Sequence, residues 1–222
     1  MIVIIKQVVK IGGSLFPDYA IDLAKKLENT HSCIVLGGGE FANLIRKYND
    51  EQHFSEEVNH WTAIDCMDII AKLVNDKVES TQLAYSIDEV NQISDDGFTP
   101  IFVVSEFLKK EDPFECSWDV TSDSIAAYIS HLLNANLLIV TNVNGIYTQE
   151  PKEPGSTFIS KIDASKLLTF QESSIDVMLP SLLLKFGTNC YVVNGKCPDW
   201  VLSLIDDNIN DYNFDYTQII GE

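Results

Sequence analysis

Val8-Val9-Lys10-Ile11-Gly12-Gly13-Ser14-Leu15 is a β-branched run interrupted by one lysine and closed by a glycine pair. Short apolar runs of this kind form strands buried on both faces, and an ammonium group in such a strand needs an anion beside it. Gly12 and Gly13 permit a tight turn and a close approach of backbone. A helix expected from Pro17 would aim its unpaired N–H groups and positive dipole end at the strand's carboxyl edge. Open α/β sheets bind ligands at that edge. The alternative is an ordinary strand-to-helix turn with Lys10 reaching solvent.

Working outward, the design repeats in Ile34-Val35-Leu36-Gly37-Gly38-Gly39-Glu40, where three consecutive glycines after a buried strand carry an entropic cost. Backbone must approach something there. The periodicity predicts strands at Val3–Ile11, Cys33–Leu36, Gln82–Tyr85, Pro100–Val104, Leu137–Thr141 and Cys190–Val193. Between them it predicts helices at Pro17–Leu27, Glu40–Tyr48, Glu56–Asp76, Ile87–Ser94, Ser122–Asn134, Ala164–Phe170, Met178–Phe186 and Pro198–Asp206. Strand–helix alternation throughout implies an α/β fold: a three-layer αβα sandwich with a mainly parallel central sheet. Thr148–Ser156 reads as a turn-rich loop leading to a hairpin around Thr157–Ile162. The acidic tail Asp206–Glu222 reads as loosely held.

At 222 residues and 45% hydrophobic, the chain can bury one sizeable core. With 33 acidic against 15 basic residues its formal net charge is −18. Such a field repels nucleic acid and anionic membrane, so neither is expected as a partner. No stretch approaches the roughly 18 apolar residues of a membrane span. Five cysteines without a C-x-x-C pair, and no signal segment, suit reduced thiols in a cytoplasm.

Two further segments put polar groups at strand or helix ends. In Trp118-Asp119-Val120-Thr121-Ser122-Asp123, alternation sets Asp119, Thr121 and Asp123 on one side, with Asp123 facing the first-turn N–H groups. Helix capping by itself accounts for one or two of the three. Leu137-Leu138-Ile139-Val140-Thr141-Asn142-Val143-Asn144-Gly145-Ile146-Tyr147 is a buried strand ending in an Asn-Gly turn and a tyrosine. Arg46, seven residues past Gly39, is set to grip an anion from its helix or to stand solvated beside Lys47. His60-Trp61 lines a pocket or packs an aromatic face. The histidines have no metal-ligand spacing, and Walker A, Rossmann, H-E-x-x-H and G-x-S-x-G patterns are absent.

Taken in order, these segments resemble the amino acid kinase superfamily, which includes acetylglutamate, aspartate, carbamate and uridylate kinases. The K-x-G-G-S strand end is matched by Lys10 to Ser14 and the second glycine turn by Gly37 to Gly39. The N/D-x-N/T-x-D-x-x-A-A segment is matched by Asp119, Thr121, Asp123, Ala126 and Ala127, and T-D-V-x-G-[IV]-Y by Thr141 to Tyr147. Within the superfamily, the short length and the wording from Asn59 to Asp68 are similar to the archaeal kinases of methanofuran biosynthesis. Those convert (aminomethyl)furanyl-methanol phosphate to a diphosphate.

The resemblance implies a single domain over residues 1–222 with an acceptor lobe (1–135) and a nucleotide lobe (136–222). It implies ATP with Mg²⁺ carried on the ATP phosphates rather than by metal-ligating side chains, a small phosphorylated substrate and a homo-oligomer. Lys10 would stabilise the transition state and Asp123 hold Lys10. Gly12, Gly13, Ser14, Thr141, Asn142, Gly145 and Tyr147 would border the nucleotide, and Gly37, Gly38, Gly39, Arg46, His60, Asp119 and Thr121 the acceptor. Two departures stand out: Asn142 replaces the usual Asp, and the G-G-M-x-x-K lysine is replaced by Ser181, leaving Lys185, one helical turn on, to reach the phosphates. Other acceptors, uridylate or isopentenyl phosphate, and a non-catalytic nucleotide-binding role stay open. The second glycine turn lacks the Gly-His shared by isopentenyl phosphate kinases.

Overall fold

The computed structural model describes residues 4–149, 151–170, 174–206 and 214–221. Strand β1 (Gln7–Ile11) lies near the middle of an eight-stranded sheet. Its neighbours β2 (Ser32–Leu36) and β5 (Asn136–Thr141) both run parallel to it, with Lys10 level with Val35 and Ile139. On one side follow β4 (Thr99–Phe102) and β3 (Thr81–Ala84), on the other β9 (Cys190–Asn194), β10 (Tyr216–Ile220) and β8 (Lys161–Asp163). The order is β3-β4-β2-β1-β5-β9-β10-β8. Only the β9–β10 pairing is antiparallel among these described strands.

Period-two side chains split the sheet into two cores. Val8, Val35, Ile139 and Val192 pack with α6 (Ser122–Leu133) and α8 (Leu179–Phe186). Val9, Ile11, Ile34, Val140 and Val193 pack with α1 (Asp18–Lys26), α9 (Pro198–Ile205) and Ile70, Ala71 and Val74 of α3 (Glu56–Asn75). Helices therefore cover both faces, and the sandwich is an α/β three-layer one. Lys10 shares the parity of Val8, so its side chain leaves the sheet on the α6 face.

The structure differs from the sequence reading in four places. First, β1 begins at Gln7 rather than Val3, and Val3 lies outside the described residues. Second, helix α5 (Ser105–Glu111), absent from the sequence expectation, starts where buried Asp68 accepts the Val104 N–H at 2.9 Å and the Ser105 hydroxyl. A seven-residue helix nucleated by a carboxylate 36 positions away leaves little periodicity to read. The helix pair α2 (Gly39–Gln52) and α3, with no strand between its members, follows the sequence reading.

Third, Thr157–Ile162 is not a hairpin: β7 (Phe158–Ile159) pairs with β6 (Ile146–Tyr147), while β8 joins the main sheet. Fourth, the tail is not loose at 214–221. β10 is inserted between β9 and β8, with Thr217 and Ile219 fully buried. The Thr217 hydroxyl accepts the Ile146 N–H at 2.8 Å and donates to the Ile159 carbonyl, joining the small sheet to the large one. Residues 207–213 and 222 of that tail lie outside the described part. The remaining helices are α4 (Ile87–Asp95) and α7 (Ala164–Leu167).

Candidate active site

Lys10 emerges at the carboxyl edge of β1 against the first turn of α6, where its Nζ lies 2.6 Å from Asp123 Oδ1. The two side chains are 10% and 6% exposed, so the pair is buried. Asp123 Oδ2 accepts the Asp176 N–H at 3.1 Å. Asp176, which precedes α8, accepts the Thr121 N–H and hydroxyl at 3.0 and 2.8 Å and the Ser124 N–H at 3.0 Å on one oxygen. Its other oxygen accepts the Ser124 hydroxyl at 2.6 Å and the Leu179 N–H at 2.7 Å. Burial and the neighbouring Asp123 charge push the Asp176 carboxyl above its ordinary value, and these hydrogen bonds oppose the shift without cancelling it.

The two glycine turns touch each other. A Cβ on Gly13 would run into the backbone of Gly39, and one on Gly37 into the Gly13 nitrogen. Gly39 adopts φ +54°, the left-handed region glycine favours. Gly12 donates to Val140 O at 2.8 Å and Gly37 to Ile11 O at 2.9 Å, so both turns extend the sheet before leaving it. Gly38 starts α2 beside Ala42 and Cys66. Ser14 is exposed, in the short 3-10 turn Gly13–Leu15, with its hydroxyl beside Gly12.

On the α2 side of Lys10, exposed Arg46 sits 4.6 Å from the Trp118 ring centroid, next to exposed Asp119. His60 is buried; its Nδ1 lies 3.1 Å from the Ser117 carbonyl, and its ring edge meets Trp61. It fastens the loop before α6. Thr121 caps α6 and donates its hydroxyl to Asp176.

On the other side of Lys10, Thr141 is buried and its carbonyl accepts the Gly195 N–H at 2.8 Å. Asn142 is exposed, Gly145 packs against Thr217, and Tyr147 meets Phe158 edge-on. Asn194, unnoticed in the sequence, donates to Asn144 at 2.9 Å and fixes the end of β9.

Lys185 is not brought to this edge. It lies in the last turn of α8 over Phe186, which stacks on His131 in the last turn of α6 at 4.1 Å between ring centroids. Asp123 to His131 spans eight residues, about 12 Å of helix. Asp176, just before α8, stands beside the site, and α8 runs away from it, so Lys185 lies at the far end of that helix. A groove of about 610 Å³ lined by Lys25, Glu28, Lys77, Glu79 and Phe98 opens at the amino ends of β3 and β4, the opposite edge from Lys10.

Residues 6–194 match the model of the amino acid kinase family. The chain belongs to that family. Over 97% of its length it is 35% identical to [5-(aminomethyl)furan-3-yl]methyl phosphate kinase of Methanocaldococcus jannaschii, covering 98% of that protein. It is 27% identical to uridylate kinase of Pyrococcus abyssi over 84% of this chain and 88% of that one. The crystal structure of uridylate kinase from Archaeoglobus fulgidus superposes with a TM-score of 0.73 over 96% of this chain and 99% of that one, at 19% identity. As an amino acid kinase, the chain is a phosphotransferase, and the Lys10–Asp123 pair lies where its family strand motif ends.

Proposed function

We propose that the protein transfers the γ-phosphoryl group of ATP to a small phosphate monoester, giving a diphosphate and ADP, with [5-(aminomethyl)furan-3-yl]methyl phosphate as the acceptor. The observation that carries this reading is the buried Lys10–Asp123 pair at the joint of two glycine turns. The 35% identical relative bearing that acceptor's name supports the choice of substrate.

An acceptor phosphate oxygen attacks the γ-phosphorus in line, and the bond to the β–γ bridging oxygen breaks. With its second pKa near 6, a phosphate monoester is already largely ionised at neutral pH, so no general base is required. Catalysis then rests on position and charge. Lys10 places a positive charge at the equatorial oxygens, held against rotation by Asp123, and the backbone of the glycine turns lies beside it. In this reading Arg46 over Trp118, with Asp119 and the Gly37–Gly39 turn, holds the acceptor in lobe 1–135. Gly12 to Ser14, Thr141, Asn142, Gly145 and Tyr147 border the nucleotide in lobe 136–222.

The described residues contain no group of three or more His, Cys, Asp or Glu side chains placed for a metal. The oxygens of Asp123 and Asp176 are already committed to Lys10 and to hydrogen bonds. These carboxylates offer no free oxygen to a resident Mg²⁺, and in this reading the ion arrives on the nucleotide substrate.

Incubation of the purified protein with MgATP and [5-(aminomethyl)furan-3-yl]methyl phosphate, UMP or isopentenyl phosphate, followed by ³¹P NMR, tests the reading. Diphosphate from the furan ester is expected. Product from UMP alone would move the acceptor assignment, and no product from any ester would overturn the reading.

A further inference from the structure

We propose that Asp176 is a positioning residue for phosphoryl transfer, locking the first turn of α6 to that of α8 and, through Asp123, setting where the Lys10 ammonium stands. The inference rests on the kinase reading above. Its carboxylate accepts five hydrogen bonds, from both polar groups of Thr121, both of Ser124 and the Leu179 N–H. A carboxylate offers about four lone-pair sites, so nothing remains for a metal or a substrate. Asp176 acts through other residues.

Its own N–H supplies the second half of the device. Asp123 turns one oxygen to Lys10 and the other to the Asp176 N–H, at 2.6 and 3.1 Å. Two partners in different directions fix the carboxylate plane, and with it the ammonium. A cap alone would need one amide of one helix; Asp176 takes amides from two helices and also orients the partner of Lys10. Its place in the chain is that of the first glycine of the G-G-M-x-x-K segment that the sequence resembles. Placing a second buried carboxylate beside Asp123 is costly.

The test is steady-state kinetics of Asp176→Asn, with kcat expressed per folded molecule from circular dichroism and thermal melting. The amide keeps the size but turns an N–H₂ group toward donors. A displacement near 1 Å at a reacting centre costs about 10²-fold, so kcat is expected to fall about 10–100-fold with both KM values within about threefold. Ser124→Ala, which removes one hydroxyl donor and leaves the backbone bonds, should lower kcat about threefold in the same pattern, and it carries the test if the first variant does not fold. Unchanged kcat per folded molecule in the variants that fold, or raised KM at unchanged kcat, overturns the inference. Wild-type protein without phosphoryl transfer would instead overturn the kinase reading.

Discussion

Lys10 and Asp123 form a buried ion pair, and the Asp176 N–H holds the second oxygen of Asp123. Breaking such a pair leaves an uncompensated buried charge and costs about 3–5 kcal/mol, a large part of the roughly 5–15 kcal/mol a domain has. Substitutions here therefore need folding controls beside activity. Asp68 shows the same expense away from the chemistry. Burial raises its carboxyl above the ordinary value despite its bonds to Val104 and Ser105. A raised folded pKa means that stabilisation by the bound proton is complete below the unfolded value, near 3.9, and is lost as pH rises through the folded one. The melting temperature of wild type relative to Asp68→Asn should thus be higher near pH 4 than near pH 7, read by thermal melts at both. A constant or inverted difference would contradict this account of Asp68. The sequence exposes Lys10 because a charge in a strand is conspicuous. Asp68 and Asp176 escape notice because acidic residues are common in this chain, and only their three-dimensional neighbours distinguish them.

At the scale of elements, the two glycine turns were legible as close backbone approaches, but what they approach was not. The structure shows that each turn is the other's neighbour, which explains the need for glycine at positions 13, 37 and 39 without appeal to a ligand. Helix α8 gives the opposite lesson. Spacing along one helix puts Lys185 a turn beyond Ser181, yet the direction of α8 relative to α6 decides which end meets the site. Asp176–Ser124 contacts join the N-terminal ends, and the Phe186–His131 stack joins the C-terminal ends. Lys185→Ala should leave ATP affinity by titration calorimetry within about twofold of wild type, the size of effect expected for a surface substitution. A tenfold loss would show that Lys185 reaches the phosphates after all.

Across the whole molecule, one sheet carries both halves of the chain: β5, the first strand after residue 135, pairs directly with β1. Alternation of strands and helices was enough to establish that architecture. The closure at the far side was not readable, because β10 is five residues long, follows an acidic stretch and reverses direction in the sheet. Its removal separates β8 and the β6–β7 ribbon from β9, so truncation after residue 213 should abolish the cooperative thermal transition; a truncated chain that melts like wild type would contradict the sheet order. What the sheet and its two helical layers hold in place is a single ammonium at the edge of β1. The most direct test of that claim is the single-turnover rate of phosphoryl transfer by Lys10→Ala, per folded molecule, with the furan phosphate ester and MgATP. Loss of one such electrostatic contact costs about 10²–10³-fold, and a fall of that size with ATP still bound is expected. A Lys10→Ala rate within about threefold of wild type would contradict the account.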